Sequence, residues 1–372
     1  MAKYKIGWLP GDGVGKDVME AAGIVLDKLK LDAEFLPGEV GWHFWCTEGN
    51  ALPERTITML QRTDACLLGA ITSKPQEDAA RELSPELQGK GLIYQSPVLE
   101  LRQAFNLHTN IRPCKAYPGN PLNFRPDIDI VVFRENTECL YAGVEFHPMP
   151  RELMNAIVAH EAKAQRFARL NPEDVAVSLR FMTRQRCHSI ARQAFDFARR
   201  KGYRSVTVVE KPNVTRATSG MLIREARRLA KRYPEIYFYE VNIDHLCMWL
   251  LKNPQHYAVL VSSNLFGDIL SKMCVQLVGG LGFGASANIG DNYAMFEPIH
   301  GSAPRLAGQY KVNPIGLLIA TRMMLEYLGE HEMARALENS IATTLVEGRV
   351  LTADMGGEAT TIDMAKAIAE RL

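Results

Sequence analysis

The chain has 372 residues, 47% of them hydrophobic and 23% charged, with Lys plus Arg at 43 against Asp plus Glu at 42. That length exceeds one small core and predicts two domains, or one large sheet with a subdomain, with no need of disulfide staples; the near-neutral balance argues against a protein built mainly to neutralise phosphates. Seven scattered cysteines, at 46, 66, 114, 139, 187, 247 and 274, form no C-x-x-C pair, so they read as reduced, mostly buried thiols of a cytoplasmic protein.

The N-terminus, MAKYKIGWLPGDG, breaks at Pro10 and Gly11 before a signal-peptide core can form, and no apolar run reaches the length of a membrane span. Residues 3–9 predict a strand, 11–15 a glycine loop, and 16–29 an amphipathic helix with Val18, Ala21, Ala22, Val25 and Leu26 on one face. A helix over 56–61 and a buried strand over 65–69 follow, then a strand over 129–134 ending in charged residues. The helix 189–201, closed by Gly202, precedes a strand over 205–209, and the helix 219–232 precedes a strand over 236–241. An apolar strand over 258–262 leads into a loop, 263–268, and another helix. Strands alternating with helices over short connections predict an α/β fold, with a mixed or parallel sheet flanked by helices. Clusters of Pro and Gly at 113–126 and 279–290 mark loops. The stretch 180–232 holds 15 Lys and Arg against Asp196, Glu210 and Glu225, which reads as solvated helix faces with a few anion-binding positions.

The loop Gly11-Asp12-Gly13-Val14-Gly15 opens a helix, where backbone N–H groups can meet a ligand, but Lys16 stands where a dinucleotide fingerprint requires glycine. Ser96 and Arg102 in YQSPVLELRQ, Arg112 in NIRP and Arg134 in FRENTECLYAG supply a hydroxyl and three guanidiniums, the equipment of a di- or tricarboxylate site. Asp268 in NLFGDILSK and Asp244 in NIDHL offer hard oxygen ligands for Mg²⁺ or Mn²⁺. His300-Gly301-Ser302-Ala303, within EPIHGSAPRLAGQYKVNP, combines an imidazole for stacking with a flexible backbone suited to an adenine and phosphates.

Together these motifs resemble the β-decarboxylating dehydrogenases, the family of isocitrate, homoisocitrate and 3-isopropylmalate dehydrogenases. The resemblance runs from PGDGVGKDV through SPVLELR, NIRP, RENTECLYAG, KPNVTRATSG, NLFGDILS, GGLG, NIGD and EPIHGSAP to MGGEATT. It implies a two-domain α/β fold distinct from the standard Rossmann fold: a large nucleotide-binding domain from 1–101 and 255–372, and a small domain from 102–254 that carries a dimer interface. It also implies a homodimer whose active sites are shared. The implied reaction is oxidation of a 2-hydroxy acid followed by loss of its 3-carboxylate as CO₂, most simply isocitrate to 2-oxoglutarate. Homoisocitrate, 3-isopropylmalate or a phosphonomethyl-malate are alternative substrates, and a non-catalytic RNA-binding paralogue is the reading outside the class.

By the same resemblance, Arg102, Arg112 and Arg134 clamp the substrate carboxylates and Ser96 meets the C3 substituent. Tyr141 is the general acid. Lys211, with Asn213 nearby, is the base supplied by the partner, and Asp268 joins the partner's Asp244 as metal ligands. Thr72 approaches the nicotinamide, while His300, Gly301, Ser302, Ala303 and Asn313 are adenine-side positions. Arg305 and Leu306 replace the Asp-Ile that favours NAD, so an arginine faces a 2′-phosphate and the expected nucleotide is NADP in preference to NAD. Three departures stand out. Lys272 replaces the family's second helix aspartate, Val98 follows Ser96 where isocitrate enzymes carry Asn, and Ser219 and Cys139 replace the Asp of TDG and the glycine after RENTE.

Overall fold

In the computed structural model, which describes residues 2–372, the strands are β1 (Tyr4–Gly11), β2 (Ala33–Pro37), β3 (Ala65–Ala70), β4 (Thr109–Lys115), β5 (Asp129–Glu135) and β6 (Glu145–Phe146). They continue with β7 (Val177–Ser178), β8 (Ser205–Glu210), β9 (Tyr237–Asn242), β10 (Val259–Ser262), β11 (Ala285–Ile289) and β12 (Ala294–Pro298). Ten of them form one sheet in the order β2-β1-β3-β12-β11-β4-β5-β10-β8-β9, and β6 and β7 pair separately. Both wings are parallel, whereas β4 runs antiparallel to β5 and to β11, and β11 antiparallel to β12.

The apolar strands are continuous because helices cover both faces of the sheet. In β3, Leu67 packs into the cluster built around Phe296, Leu317 and Ile341, while Cys66 and Leu68 pack with Leu9, Leu60 and Met295 on the other face. The alternation recurs in β5: Val131 and Phe133 join Ile190, Phe195 and Leu222, whereas Ile130 and Val132 join Leu246, Leu260 and Leu270. The helix Arg184–Lys201 starts with Thr183, whose hydroxyl accepts from the Arg186 N–H, and stops at Gly202 in the left-handed conformation.

Three expectations need correction. Residues 263–268 are not a loop: the helix Asn264–Gln276 begins directly after β10, with Ser263 at the N-cap. The span 113–126 is not all loop, because β4 extends to Lys115, and 279–290 contains β11. All seven cysteines are free, five of them buried, in agreement with the reading of reduced thiols. The basic stretch is interlaced with carboxylates: Arg184, His188 and Arg228 surround Glu225, Lys201 meets Glu326, and Arg227 meets Glu240. Among the described residues no helix is long and apolar enough to cross a membrane.

Candidate active site

The antiparallel centre of the sheet delivers the three predicted arginines to one cleft of about 430 Å³. Arg112 projects from β4 and Arg134 from the end of β5, and Arg102 comes from the last turn of the helix Pro97–Ala104. All three are buried, with Arg134 at 1% exposure, so each guanidinium needs partners to offset lost hydration. Arg102 donates to Asn288 Oδ1 at 3.0 Å and to Glu297 Oε1 at 3.2 Å. Arg112 donates to Asp268 Oδ1 at 3.0 Å and Ser271 Oγ at 2.7 Å. Arg134 grips Asn264 Oδ1 through two nitrogens, at 2.9 and 2.7 Å, and also bonds Asp268. Gly267 makes the last contact possible: a Cβ there would meet the Arg134 side chain at 2.9 Å, so only glycine brings the helix this close to β5.

Asp268 is the hub. Its second oxygen accepts from the Tyr141 hydroxyl at 2.9 Å, and the Arg134 guanidinium lies 4.8 Å from the centre of the Tyr141 ring. Burial by itself would raise the Asp268 carboxyl, but Arg134 and Arg112 outweigh it and hold the group below the usual range. Burial and the Asp268 charge push the Tyr141 phenol up, so it keeps its proton at neutral pH. Ser96, half-buried at the start of its helix, lines the same cleft with Val98 and Leu99.

Lys272, one turn after Asp268, also lines the cleft; the residue as a whole is exposed, but its ammonium is partly buried where it donates to the Ile299 carbonyl at 3.1 Å. Burial of the amine, with Arg112 nearby, lowers its pKa. Among the described residues no group of three or more His, Cys, Asp or Glu side chains could hold a metal ion. Asp268 has both oxygens engaged and a cation as its neighbour, so the donors of one chain do not fit a divalent ion.

Lys211 and Asp244 lie outside this cleft. They pair with each other at 2.5 Å, and the Asp244 side chain is 53% exposed. The pairing holds the Asp244 carboxyl below its ordinary range. Asn213 is exposed on the adjoining turn.

A second group of predicted residues gathers beside the cleft. The 300–303 loop rests on the glycine loop: the Val14 N–H donates to Ser302 O at 2.9 Å, and a Cβ on Gly13, whose φ is +53°, would meet that oxygen at 2.1 Å. Thr72 shares a 2.6 Å hydroxyl contact with Ser302, and its N–H donates to Asp12. His300 and Gly301 line the cleft rim, and Ala303 takes a left-handed conformation. His300 Nε2 is buried without a partner, and burial lowers the imidazole pKa, so the ring is neutral. An orphaned ring nitrogen beside an open Gly301 suits a nucleotide base. Arg305 is exposed, whereas Asn313 is committed locally, accepting from the Ile315 N–H and donating to Asp354.

Sequence reasoning missed several buried polar partners. Asn288 accepts from Arg102, Asn110 and Asn136 and donates to Glu297. Arg180 joins Glu210, Ser263 and the Cys139 sulfur. The polar interruptions in the strand ASANI and in EP of β12 were the available signal.

The isocitrate/isopropylmalate dehydrogenase family matches residues 5–368. Protein DlpA of Legionella pneumophila is 38% identical over 98% of the chain, which spans 58% of that protein's length. The 3-isopropylmalate dehydrogenase of Methanothermobacter thermautotrophicus is 37% identical, covering 100% of this chain and 99% of its own. The crystal structure of isocitrate dehydrogenase from Methylococcus capsulatus superposes with a TM-score of 0.85 at 35% identity, covering 99% of both chains.

Proposed function

Because the chain belongs to the isocitrate/isopropylmalate dehydrogenase family, and is thus an NAD(P)-dependent decarboxylating dehydrogenase of 3-substituted malates, we propose that its substrate carries an anionic C3 substituent, isocitrate first, and that its nucleotide is NADP. One observation carries this reading: Arg102, Arg112, Arg134 and Lys272 converge on one cleft beside the His300 loop. Planar guanidiniums on fixed strands and a helix recognise carboxylates bidentately, and Ser96 and Lys272 favour a polar or charged substituent over an isopropyl group. Homoisocitrate fits the same chemistry.

Arg102, Arg112 and Arg134 bind and orient the carboxylates. Lys211 of a second copy, released from Asp244 and in its neutral amine form, takes the 2-hydroxyl proton as C2 is oxidised; the nucleotide, when bound, accepts the hydride. Loss of the 3-carboxylate as CO₂ leaves an enolate, and Tyr141, whose raised pKa keeps its proton available, donates that proton to C3. Asp268 orients the phenol. Thr72, Ser302 and the Gly301 backbone border the nucleotide, His300 Nε2 meets the base, and Arg305 meets the 2′-phosphate. The family uses a divalent metal in general; the resemblance would give it Asp268 with Asp244 of a second copy, a set that Lys272 leaves one carboxylate short.

The homodimer rests on an unpartnered apolar face. The helix Ile243–Lys252, which carries Asp244, exposes Met248 at 69% and Leu251 at 61%, and Ile269 of the Asp268 helix is 50% exposed. Residues 1–101 with 255–372 would then form the large domain and 102–254 the small one. A panel of isocitrate, homoisocitrate and 3-isopropylmalate with NADP⁺ and NAD⁺ tests the reading. It predicts reduction of NADP⁺ with matching CO₂ release, greatest with isocitrate; preference for 3-isopropylmalate or for NAD⁺ would overturn the substrate or nucleotide assignment.

A further inference from the structure

The cleft lining sets four cations, Arg102, Arg112, Arg134 and Lys272, against two carboxylates, Asp268 and Glu297. Two positive charges are in excess. With aspartate at 272 the same lining would balance at three against three, and a bound divalent ion would restore the excess of two. The side chain at 272 and the ion are therefore electrostatic alternatives, and their charges add if both are present.

Geometry separates the alternatives. Residue 272 lies one turn after Asp268, on the same helix face, so its side chain occupies the approach an ion would share with that carboxylate. Asp268 Oδ1 is taken by Arg112 and Arg134 and its Oδ2 by Tyr141. The Lys272 ammonium uses one donor on the Ile299 carbonyl and opens to the cleft, which leaves donors for a ligand anion. Glu297 is engaged by Arg102 and Asn288, and among the described residues no three acidic, imidazole or thiol side chains come together to hold an ion.

We propose that Lys272 is a built-in counter-charge that replaces the divalent ion in holding the anionic hydroxy acid, so this cleft binds its substrate carboxylates in the absence of metal. The proposal rests on the assignment of the cleft to 3-substituted malates. Its consequence for specificity is that an ion, if forced in, demands a ligand of still higher negative charge, because the local excess rises to four.

Calorimetric titration of the full-length protein, freed of divalent ions with EDTA, tests this with three titrants: Mn²⁺ alone, isocitrate alone, and isocitrate in the presence of Mn²⁺, each repeated with 3-isopropylmalate as the acid. The wild type is expected to bind isocitrate without metal, its affinity moving by less than about threefold when Mn²⁺ is added, and to give no saturable heat with Mn²⁺ alone. Lys272→Met should weaken metal-free binding about tenfold, the loss of one charge-assisted contact. Lys272→Asp should weaken it at least as much, gain saturable Mn²⁺ binding, and regain acid affinity when Mn²⁺ is present. If Lys272→Asp does not fold, the Lys272→Met titrations decide alone. Wild-type binding of isocitrate that requires Mn²⁺, or Lys272→Met binding it as the wild type does, overturns the role of Lys272 and leaves the substrate class standing. Binding of neither acid under any condition overturns the substrate class itself.

Discussion

The Asp268 cleft and the Lys211–Asp244 pair carry the same kinds of groups in opposite physical states. In the cleft, three buried guanidiniums and a half-buried carboxylate and phenol bond to one another and to Asn264, Ser271, Asn288 and Glu297. At the pair, one lysine meets one aspartate on a helix that turns Met248, Trp249 and Leu251 to solvent. A network of that depth is assembled by folding of a single chain, and its members are costly to remove. An exposed pair contributes little to stability. Its groups are therefore available for transfer to a second copy, which the apolar face of the Asp244 helix would bring.

Variants that separate stability from activity sharpen this contrast. Asp268→Asn leaves Arg112 and Arg134 without their shared anion, and should destabilise the fold by about 3 kcal/mol in urea unfolding while abolishing turnover. Gly13→Ala forces a side chain into Ser302 O at a positive φ. It should cost about 1–2 kcal/mol and weaken NAD(P)H binding, read by nucleotide fluorescence, with acid binding retained.

Glu100 gives a pH signature. Burial raises its carboxyl to about 6 from 4.5. A raised folded pKa means the proton favours the native state, so this contribution is complete below pH 4.5 and lost as pH rises through 6. Glu100→Gln should stabilise the protein at pH 7 by about 1 kcal/mol and flatten the stability profile across that window. Smallest in stability is Lys211→Ala, at under about 0.5 kcal/mol, yet its turnover should fall at least about a hundredfold if Lys211 is the base. A Lys211→Ala loss of stability as large as that of Asp268→Asn would erase the distinction between the two regions.

Much of the cleft was legible because its charged residues sit at the ends of readable elements: Arg134 closes the apolar run of β5, and Arg102 ends a short helix. Their partners were not. Asn288 and Glu297 interrupt β11 and β12, so the strands that position them lost their apolar signature, and Pro113 did the same for β4. The 263–268 segment read as a loop because Ser, Asn, Gly and Asp crowd it. In the fold each has a site-specific reason: the Ser263 hydroxyl accepts from Arg180, Asn264 accepts from Arg134, and Gly267 makes room for Arg134. Local propensity yielded there to long-range polar packing. Lys272 was visible as a departure, but its direction into the cleft came only from the fold.

The shared site can be tested by mixing two inactive chains. Tyr141→Phe removes the proposed acid from the cleft, and Lys211→Ala removes the proposed base. Unfolded together in equal amounts and refolded, these chains should regain about a quarter of wild-type activity, because about half of the dimers are hybrids and one of the two sites in each is intact. Activity no higher than that of either variant alone would contradict a site completed across two copies.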